Sequence, residues 1–278
     1  MAINNSKNPL VSIITVVYNA EEFLEETILS VLNQDYKNIE YIIIDGGSTD
    51  LTLDIIKKYH EKIDIFVSED DKGIFDAMNK GIGLANGEWL NFLNAGDLFF
   101  GNEVLTKIFE KKRTDTLFLY GKVNYYSIEY YRNRSLGKKV SIRDFQTSFP
   151  ICHQSMFFNK EIFNYFGRYD LSYKVTADYD LVIKIFKDNT VKKEYINIII
   201  SKFLIDGFGF NNSIEGHWEK VKIADNHFNF FIKIIARCRF LLISIRLLIL
   251  SILKILRVHN LYRFIKNKLI LKFYNDSI

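Results

Sequence analysis

The chain has 278 residues, 48% hydrophobic and 25% charged, which excludes a disordered chain and allows a sizeable core. Two cysteines, Cys152 and Cys238, exclude a disulfide framework, and the N-terminal MAINNSKNPL lacks the apolar stretch of a signal peptide. The net charge of +4 is uneven, since residues 216–278 hold 12 Lys and Arg against 3 Asp and Glu. We therefore expect two regions, residues 1–215 and residues 216–278.

The first hundred residues alternate predicted strands and predicted helices. The near-continuous apolar run at 10–18 is typical of a strand covered on both faces, 39–45 predicts a second buried strand, 62–69 a short third strand and 88–94 a fourth. Apolar residues at helical spacing lie between them, at 20–34, 48–60 and 73–85. Beyond residue 100 the pattern predicts hairpin strands at 116–131 and helices at 156–167 and 178–188. The alternation indicates an α/β fold with a mostly parallel sheet flanked by helices.

Polar residues follow three of the predicted strands, where open α/β sheets bind ligands. Asn19 follows the first strand, Asp45 ends the second and Asp97 follows the fourth. Asp45 precedes two glycines, so the backbone permits close approach of a ligand, and its carboxylate can accept N–H groups of a base or ribose hydroxyls. An ordinary strand-to-helix turn with Ser48 as N-cap remains the alternative. The segment LNAGD around Asp97 likewise leaves open a turn or a metal site.

Two long segments carry a family resemblance. VSIITVVYNAEEFLEETILSVLNQDYKNIEYIIIDGGSTDLTLDIIKKY and SEDDKGIFDAMNKGIGLANGEWLNFLNAGD resemble the nucleotide-binding half of inverting family 2 glycosyltransferases with the Rossmann-like GT-A fold. The resemblance covers residues 10–210 and is strongest to bacterial enzymes of exopolysaccharide, capsule or O-antigen synthesis. It implies transfer of a hexosyl or N-acetylhexosaminyl group from a nucleotide-diphosphate sugar, uridine-linked, to a hydroxyl of a lipid-linked saccharide.

The resemblance also implies roles for individual residues. Asp45 would bind the uracil or its ribose, and Asn94 would belong to the same sugar-nucleotide site. The other residues implied to line the donor are Val17, Tyr18, Asn19, Lys72, Gly73, Asp76 and Asn79. Met78 stands where many members have Arg, so this chain lacks that cation for the diphosphate.

The segment LNAGD corresponds to the family's D-x-D-type metal motif, with Asp97 as its last acid. A divalent cation, Mn²⁺ or Mg²⁺, would bridge the donor's diphosphate and stabilise the leaving group. Mg²⁺ often takes one or two carboxylates plus phosphates and waters, so one carboxylate suffices. Because Asn94 and Gly96 replace the earlier acids, we expect a weak site that the donor completes.

Catalysis and acceptor contacts are implied further along the chain. Asp178 in KVTADYDLVIKIF matches the family's catalytic base, which removes the proton of the acceptor hydroxyl. The alternative is that Asp178 only caps the helix that follows and that Asp180 faces solvent. His153 and Gln154 resemble a His-Gln pair on the acceptor or phosphate side, against the alternative of a buried core histidine. The segment 206–213, with His217 and Trp218 beyond it, resembles a loop that closes over the donor.

Residues 228–273 form an apolar and basic tail. At about 100° per residue, Arg239, Arg246, Lys254 and Arg257 share an arc of about 80°, which is typical of an interfacial membrane helix. The alternatives are packing on the catalytic domain, a homodimer contact, or a membrane span. Basic residues that alternate with Ile and Leu argue against nucleic acid. We expect a peripheral enzyme on the cytoplasmic face of the bacterial inner membrane.

Two other functions compete with this interpretation. A sugar-nucleotide pyrophosphorylase would need a glycine-rich basic loop after the first strand, where this chain has the acidic YNAEEFLEE. A membrane-bound scaffold that keeps the fold without the chemistry would show no transfer with any donor.

Overall fold

The computed structural model describes residues 8–111, 113, 115–127, 132–146, 148–204 and 214–255. They form two compact units, the first drawn from 1–139 and 151–210 and the second from 140–150 and 211–278. The division at residue 216, made on charge, stays a prediction. Within the described ranges, no helix combines the length and the apolarity that crossing a bilayer requires.

Four parallel strands build one half of the sheet in the first unit. They are β1 (Val11–Val17), β2 (Ile39–Asp45), β3 (Ile65–Ser68) and β4 (Trp89–Phe92), in the spatial order β3-β2-β1-β4. Helices α1 (Leu24–Leu32), α2 (Thr52–Lys58) and α3 (Ile74–Leu84) connect them. Every residue of β1 is buried, and β2 and β4 pair with its two edges. The predicted α/β alternation is therefore confirmed.

The other half of the sheet is mixed. It continues from β4 in the order β8-β6-β9-β5, with β7 paired to β6. The strands are β5 (Leu98–Phe99), β6 (Thr116–Ser127), β7 (Arg132–Leu136), β8 (Met156–Asn159) and β9 (Lys192–Leu204). The helices are α4 (Val104–Phe109), α5 (Glu161–Phe166) and α6 (Ala177–Lys187). Only the pair β6 and β9 is parallel among these.

One prediction for this half is wrong in detail, and another is observed in part. The helix predicted at 156–167 begins only at Glu161, because Met156–Asn159 is a fully buried strand between β4 and β6. The hairpin strands predicted at 116–131 are observed in part, since β6 covers Thr116–Ser127 and pairs antiparallel with the next strand, β7, while residues 128–131 lie outside the described residues. The error at β8 concerns a strand whose pairing partners, β4 and β6, are distant in the chain.

A continuous apolar core fixes β1 and β4 and hence the strand ends that carry the candidate site. Trp89 and Phe157 both lie against Phe109, with ring centroids 5.8 and 5.4 Å away. Each of these three side chains is at most 4% exposed. Burial of such rings contributes about 1.5–3 kcal/mol each.

The second unit contains helices α7 (Ile214–His227) and α8 (Phe230–Ile255). They pack together through Trp218 and Phe240, whose ring centroids are 5.3 Å apart, and through an Arg237–Asp225 ion pair at 3.0 Å. The predicted helical tail is thus observed as far as Ile255. Residues 256–273 of that prediction lie outside the described residues.

Candidate functional site

Asp45 lies at the carboxyl end of β2, in register with Val17 at the end of β1. It is fully buried, and its Oδ2 accepts hydrogen bonds from the Gly47 and Ser48 amides, both at 3.1 Å, and from Ser68 Oγ at 2.7 Å. Asp45 Oδ1 is buried and has no hydrogen-bond partner among the described residues. A buried polar atom without a partner is costly, so this oxygen is suited to a ligand's donor.

The loop after β1 is tied to the loop after β2. Asn19, with a φ of 45°, donates its backbone N–H to Ser48 Oγ at 2.8 Å, and its side-chain oxygen accepts the Thr49 amide at 2.8 Å. Ser48 therefore does not cap α2, which begins at Thr52 without a side-chain cap, and the simple turn alternative is wrong in this respect. Tyr18 beside it is 63% exposed.

The two glycines after Asp45 are approached by acids of the β3–α3 loop. A Cβ on Gly46 would lie 2.4 Å from Asp71 Oδ2, and one on Gly47, whose φ is +81°, would lie 2.6 Å from Asp70 Oδ1. Close approach thus occurs as expected of glycine, but the groups that approach belong to the chain itself.

The predicted pocket residues of α3 are held in local contacts. Asp76 Oδ2 accepts the Lys72 amide at 3.0 Å, with Gly73 at a φ of 115° between them. The Asn79 amide both donates to and accepts from the backbone of Tyr169, at 2.9 Å each. Contact of these four residues, Lys72, Gly73, Asp76 and Asn79, with a donor stays a prediction.

The LNAGD segment forms a tight turn beside the end of β1, where the Ala95 amide bonds Val16 O at 3.3 Å. Gly96 has a φ of +96°, which favours glycine before Asp97. Thr27 of α1 fixes this turn, since its hydroxyl donates to Asp97 O at 3.0 Å and accepts the Gly96 amide at 2.9 Å. Asp97 is 5% exposed, and Gln154 Nε2 donates to its Oδ1 at 2.9 Å.

His153 lies between the two predicted functional carboxylates. Its Nε2 is 3.6 Å from Asp97 Oδ2 and its Nδ1 is 4.0 Å from Asp178 Oδ2. Burial lowers the pKa of His153, but the hydrogen bond and charge of Asp97 and the charge of Asp178 raise it more, so the pKa lies above its usual value. The imidazole also lies 3.0 Å from Asn94 Nδ2. His153 is therefore linked to both acids and is not an isolated core histidine.

Asp178 is the second residue of α6 and is 8% exposed. Its Oδ1 accepts the Tyr179 amide at 2.8 Å, and a helix N-terminus favours negative charge on such a carboxylate. Asp180 does not face solvent, since it is 4% exposed and bonds Lys184 at 2.6 Å. Asp178 thus bonds a backbone amide at the helix start and also lies beside His153, and its role as the catalytic base stays a prediction.

The oxygen atoms around Asp97 fit a divalent cation in part. Asp97 Oδ2 is not taken by Gln154, and Asn94 Oδ1 is buried with no hydrogen-bond partner in the described part of the chain. Carboxylate and amide oxygens are ligands that Mg²⁺ and Mn²⁺ accept. In the ranges described, no group of three or more His, Cys, Asp or Glu side chains is placed to hold a metal. The chain therefore supplies a partial site that needs further oxygens from a ligand.

Three neighbours of the site were missed from the sequence. Burial and then the charge of Asp178 raise the pKa of Tyr169 well above its usual value, and its buried hydroxyl has no hydrogen-bond partner among the described residues. Burial raises the pKa of Cys152 to about 12, and Tyr125 Oη lies 2.5 Å from its sulfur. Thr27 offered one signal, as a polar residue on the buried face of α1 beside Leu24 and Ile28.

His217 and Trp218 belong to the second unit, where burial, and then the charge of Lys220, lower the pKa of His217 to about 4. Their contribution to a donor loop stays a prediction, and the loop 206–213 itself lies outside the described residues.

Comparison with known proteins identifies the family to which the chain belongs. Residues 12–168 match the family described as glycosyl transferase family 2. The chain is 31% identical over 211 residues to the PGL/p-HBAD biosynthesis glycosyltransferase of Mycobacterium tuberculosis, covering 74% of this chain and 80% of that protein.

Two solved structures share the fold at low identity. S. aureus TarS 1–349 in complex with UDP-GlcNAc has a TM-score of 0.62 and 18% identity, covering 83% of this chain and 71% of that chain. Mannosyltransferase PcManGT from Pyrobaculum calidifontis in complex with GDP-Man and Mn²⁺ has a TM-score of 0.58 and 16% identity, covering 78% and 64%. These likenesses confirm the GT-A-type fold.

Proposed function

Because the chain belongs to glycosyl transferase family 2, we propose that it transfers a hexosyl or N-acetylhexosaminyl group from a uridine-diphosphate sugar, with inversion, to a hydroxyl of a lipid-linked saccharide. The donor class is supported by the UDP-GlcNAc and GDP-Man complexes of the two structural neighbours. The orphaned Asp45 oxygen supports a uridine nucleotide, since it can accept the uracil N–H or a ribose hydroxyl.

A single observation carries this proposal. His153 lies within 3.6 Å of Asp97 and 4.0 Å of Asp178, so the predicted metal ligand and the predicted base are one side chain apart. Inverting transfer needs this proximity, since the acceptor hydroxyl must reach the anomeric carbon beside the diphosphate. Asp45 lies on the same edge, through the register of β2 with β1 and the Ala95–Val16 bond.

In the proposed reaction, Asp178 accepts the proton of the acceptor hydroxyl as that oxygen forms a bond to the anomeric carbon. The bond from that carbon to the diphosphate oxygen breaks, and its electron pair leaves with the nucleoside diphosphate. Attack from the face opposite the diphosphate inverts the anomeric configuration. A divalent cation held by Asp97 and Asn94 would neutralise charge on the diphosphate. His153 and Gln154 orient Asp97.

A lipid-linked acceptor agrees with the basic, apolar C-terminal region, and we include a peripheral location on the cytoplasmic face of the inner membrane in the proposal. The Mycobacterium tuberculosis relative is named for PGL/p-HBAD biosynthesis. A role in cell-surface polysaccharide synthesis is our extension to this chain.

The test begins with purified full-length chain and a panel of nucleotide sugars, with and without Mn²⁺ or Mg²⁺. We expect a uridine-diphosphate sugar to raise the melting temperature and to transfer its sugar to a membrane extract containing lipid-linked saccharides. Asp178→Asn should lower the transfer rate by at least about a hundredfold, the usual contribution of a general base. Donor binding should remain, because the substitution is isosteric.

Asp188→Asn is the matched control, since Asp188 is half-buried at the other end of α6 and its bonds to Thr190 can be kept by an amide oxygen. Equal transfer by Asp178→Asn and Asp188→Asn would reject Asp178 as the base. Absence of transfer by the wild-type chain with every donor would favour the scaffold alternative. Stabilisation by guanosine but not uridine nucleotides would reject the donor class.

A further inference from the structure

Among the described residues of its own unit, helix α8 packs on α7 along one side. The side that includes Phe240 and Arg237 faces α7, through the stacking on Trp218 and the ion pair with Asp225. Half-buried residues continue this side along the helix, namely Ile232, Ala236, Ile243 and Leu247.

The other side of α8 is apolar and exposed. Ten large hydrophobic side chains lie on it, each at least 40% exposed, and we call this set the α8 apolar face: Phe230, Phe231, Ile234, Ile235, Leu241, Leu242, Ile245, Leu248, Ile249 and Ile252. At about 100° per residue they occupy one arc of about 140°, along a helix about 39 Å long. No charged residue falls within that arc. Such a large continuous patch marks an interaction surface.

Cations border the α8 apolar face on both sides. Arg239 follows one edge of the arc, while Arg237 and Lys233 lie beyond the other edge. Arg237 and Arg239 are exposed, and Lys233 is half-buried. No Asp or Glu occurs from Asn226 to Asn275. An apolar strip between two cationic edges complements a lipid surface, with acyl chains under the strip and phosphates beside the cations.

We propose that the α8 apolar face docks in the plane of an anionic phospholipid surface, with Arg239 and Lys233 at the level of the headgroups, while Arg237 keeps its ion pair with Asp225. The inference rests on the proposed function only for the lipid anchor of the acceptor. A second copy of the chain fits this face less well. Two α8 helices face to face would bring their cationic edges together, and α8 has no acid to offset them.

Cys238 allows a direct test, because it is exposed and lies in the middle of the α8 apolar face. Cys152 is only partly exposed and its raised pKa, about 12, disfavours the reactive thiolate, so an environment-sensitive maleimide dye labels Cys238 selectively. The labelled full-length chain is mixed with phosphatidylglycerol–phosphatidylcholine vesicles or with phosphatidylcholine vesicles alone. We expect a blue shift with the anionic vesicles and binding more than about tenfold tighter than to neutral ones. A dye placed by Lys222→Cys, in a Cys238→Ser background, should not shift.

Leu241→Glu tests the face itself. Leu241 is 60% exposed, so the substitution should leave the helix folded while it weakens vesicle binding by at least about tenfold. Asn229→Asp is the control. It adds the same single negative charge, but just before α8 and outside the apolar face, and it preserves the oxygen that accepts the Ile232 amide. It should bind vesicles much as the wild type does. If circular dichroism shows that Leu241→Glu is misfolded, the emission shift of the Cys238 dye on the wild-type chain is the test of the inference.

Equal vesicle binding by Leu241→Glu and Asn229→Asp, or an unshifted Cys238 dye, would overturn the inference. So would a vesicle-free dimer that Leu241→Glu converts to monomer, since a second copy would then cover the face. UDP binding is measured in parallel by calorimetry. If the wild-type chain binds UDP but not anionic vesicles, the docking inference alone is contradicted. If the wild-type chain binds anionic vesicles but not UDP, the proposed donor alone is contradicted.

Discussion

The unpartnered oxygen of Asp45 makes the substitution Asp45→Asn especially informative. The carboxylate is fully buried, and all three of its observed hydrogen bonds go to Oδ2. An asparagine can keep these three bonds through its single oxygen. Its amide nitrogen then takes the place of Oδ1, the atom that has no partner among the described residues. The substitution therefore changes the free oxygen from acceptor to donor and leaves the local fold in place.

The magnitude follows from the bond that would be lost. A hydrogen bond to a charged group contributes about 1.5–3 kcal/mol, and a factor of ten in affinity corresponds to about 1.4 kcal/mol. If Asp45 Oδ1 accepts a uracil or ribose donor, Asp45→Asn should weaken UDP binding by roughly 10- to 150-fold. The melting temperature should change little, because the bonds to Gly47, Ser48 and Ser68 remain.

Isothermal titration of UDP into the full-length chain, in the presence of Mn²⁺, measures this effect. Asp54→Asn serves as the control, since it removes the same charge from the exposed face of α2, where Asp54 pairs with Lys57 in a solvent-exposed contact. Similar UDP affinities for Asp45→Asn and Asp54→Asn would refute the nucleoside role of Asp45. A large drop in melting temperature would instead refute the view that the three bonds survive.

Two further predictions concern stability and the Asp97 turn. Burial raises the pKa of Glu40, but hydrogen bonds from Ser12, Asn86 and the Gly87 backbone lower it more, so the pKa lies below its usual 4.5. Because the pKa of Glu40 is lowered in the folded state, its carboxylate stabilises the fold above about pH 4.5, and this stabilisation is lost as the pH falls. Glu40→Gln should therefore have a lower melting temperature than the wild type at pH 7, and the difference should close below about pH 4.5. A melting-temperature difference that does not change with pH would contradict this prediction. Thr27→Val leaves Asp97 O and the Gly96 amide without their bonds and should cost about 1–3 kcal/mol of unfolding free energy in denaturant melts. It should also weaken Mn²⁺-dependent donor binding, and unchanged donor affinity would show that Thr27 does not position Asp97.

The parallel half of the sheet was predictable because its signals are local. Strands β1 and β2 are continuous runs rich in β-branched residues, and helix α1 between them shows regular apolar spacing. Strand β8 was not predictable, since the apolar run Met156–Phe158 has no periodicity and suits a helix or a strand equally. Its conformation is set by β4 and β6, which pair with its two edges.

The amino-acid sequence alone determined the α/β fold class, the family resemblance, and the candidate carboxylates Asp45, Asp97 and Asp178. Only the tertiary structure decided that His153 lies between Asp97 and Asp178, because that contact joins elements far apart in the chain. It also decided which side of α8 is exposed. The apolar residues of that helix cover most of its circumference, and packing of Phe240 on Trp218 chooses the side that is buried.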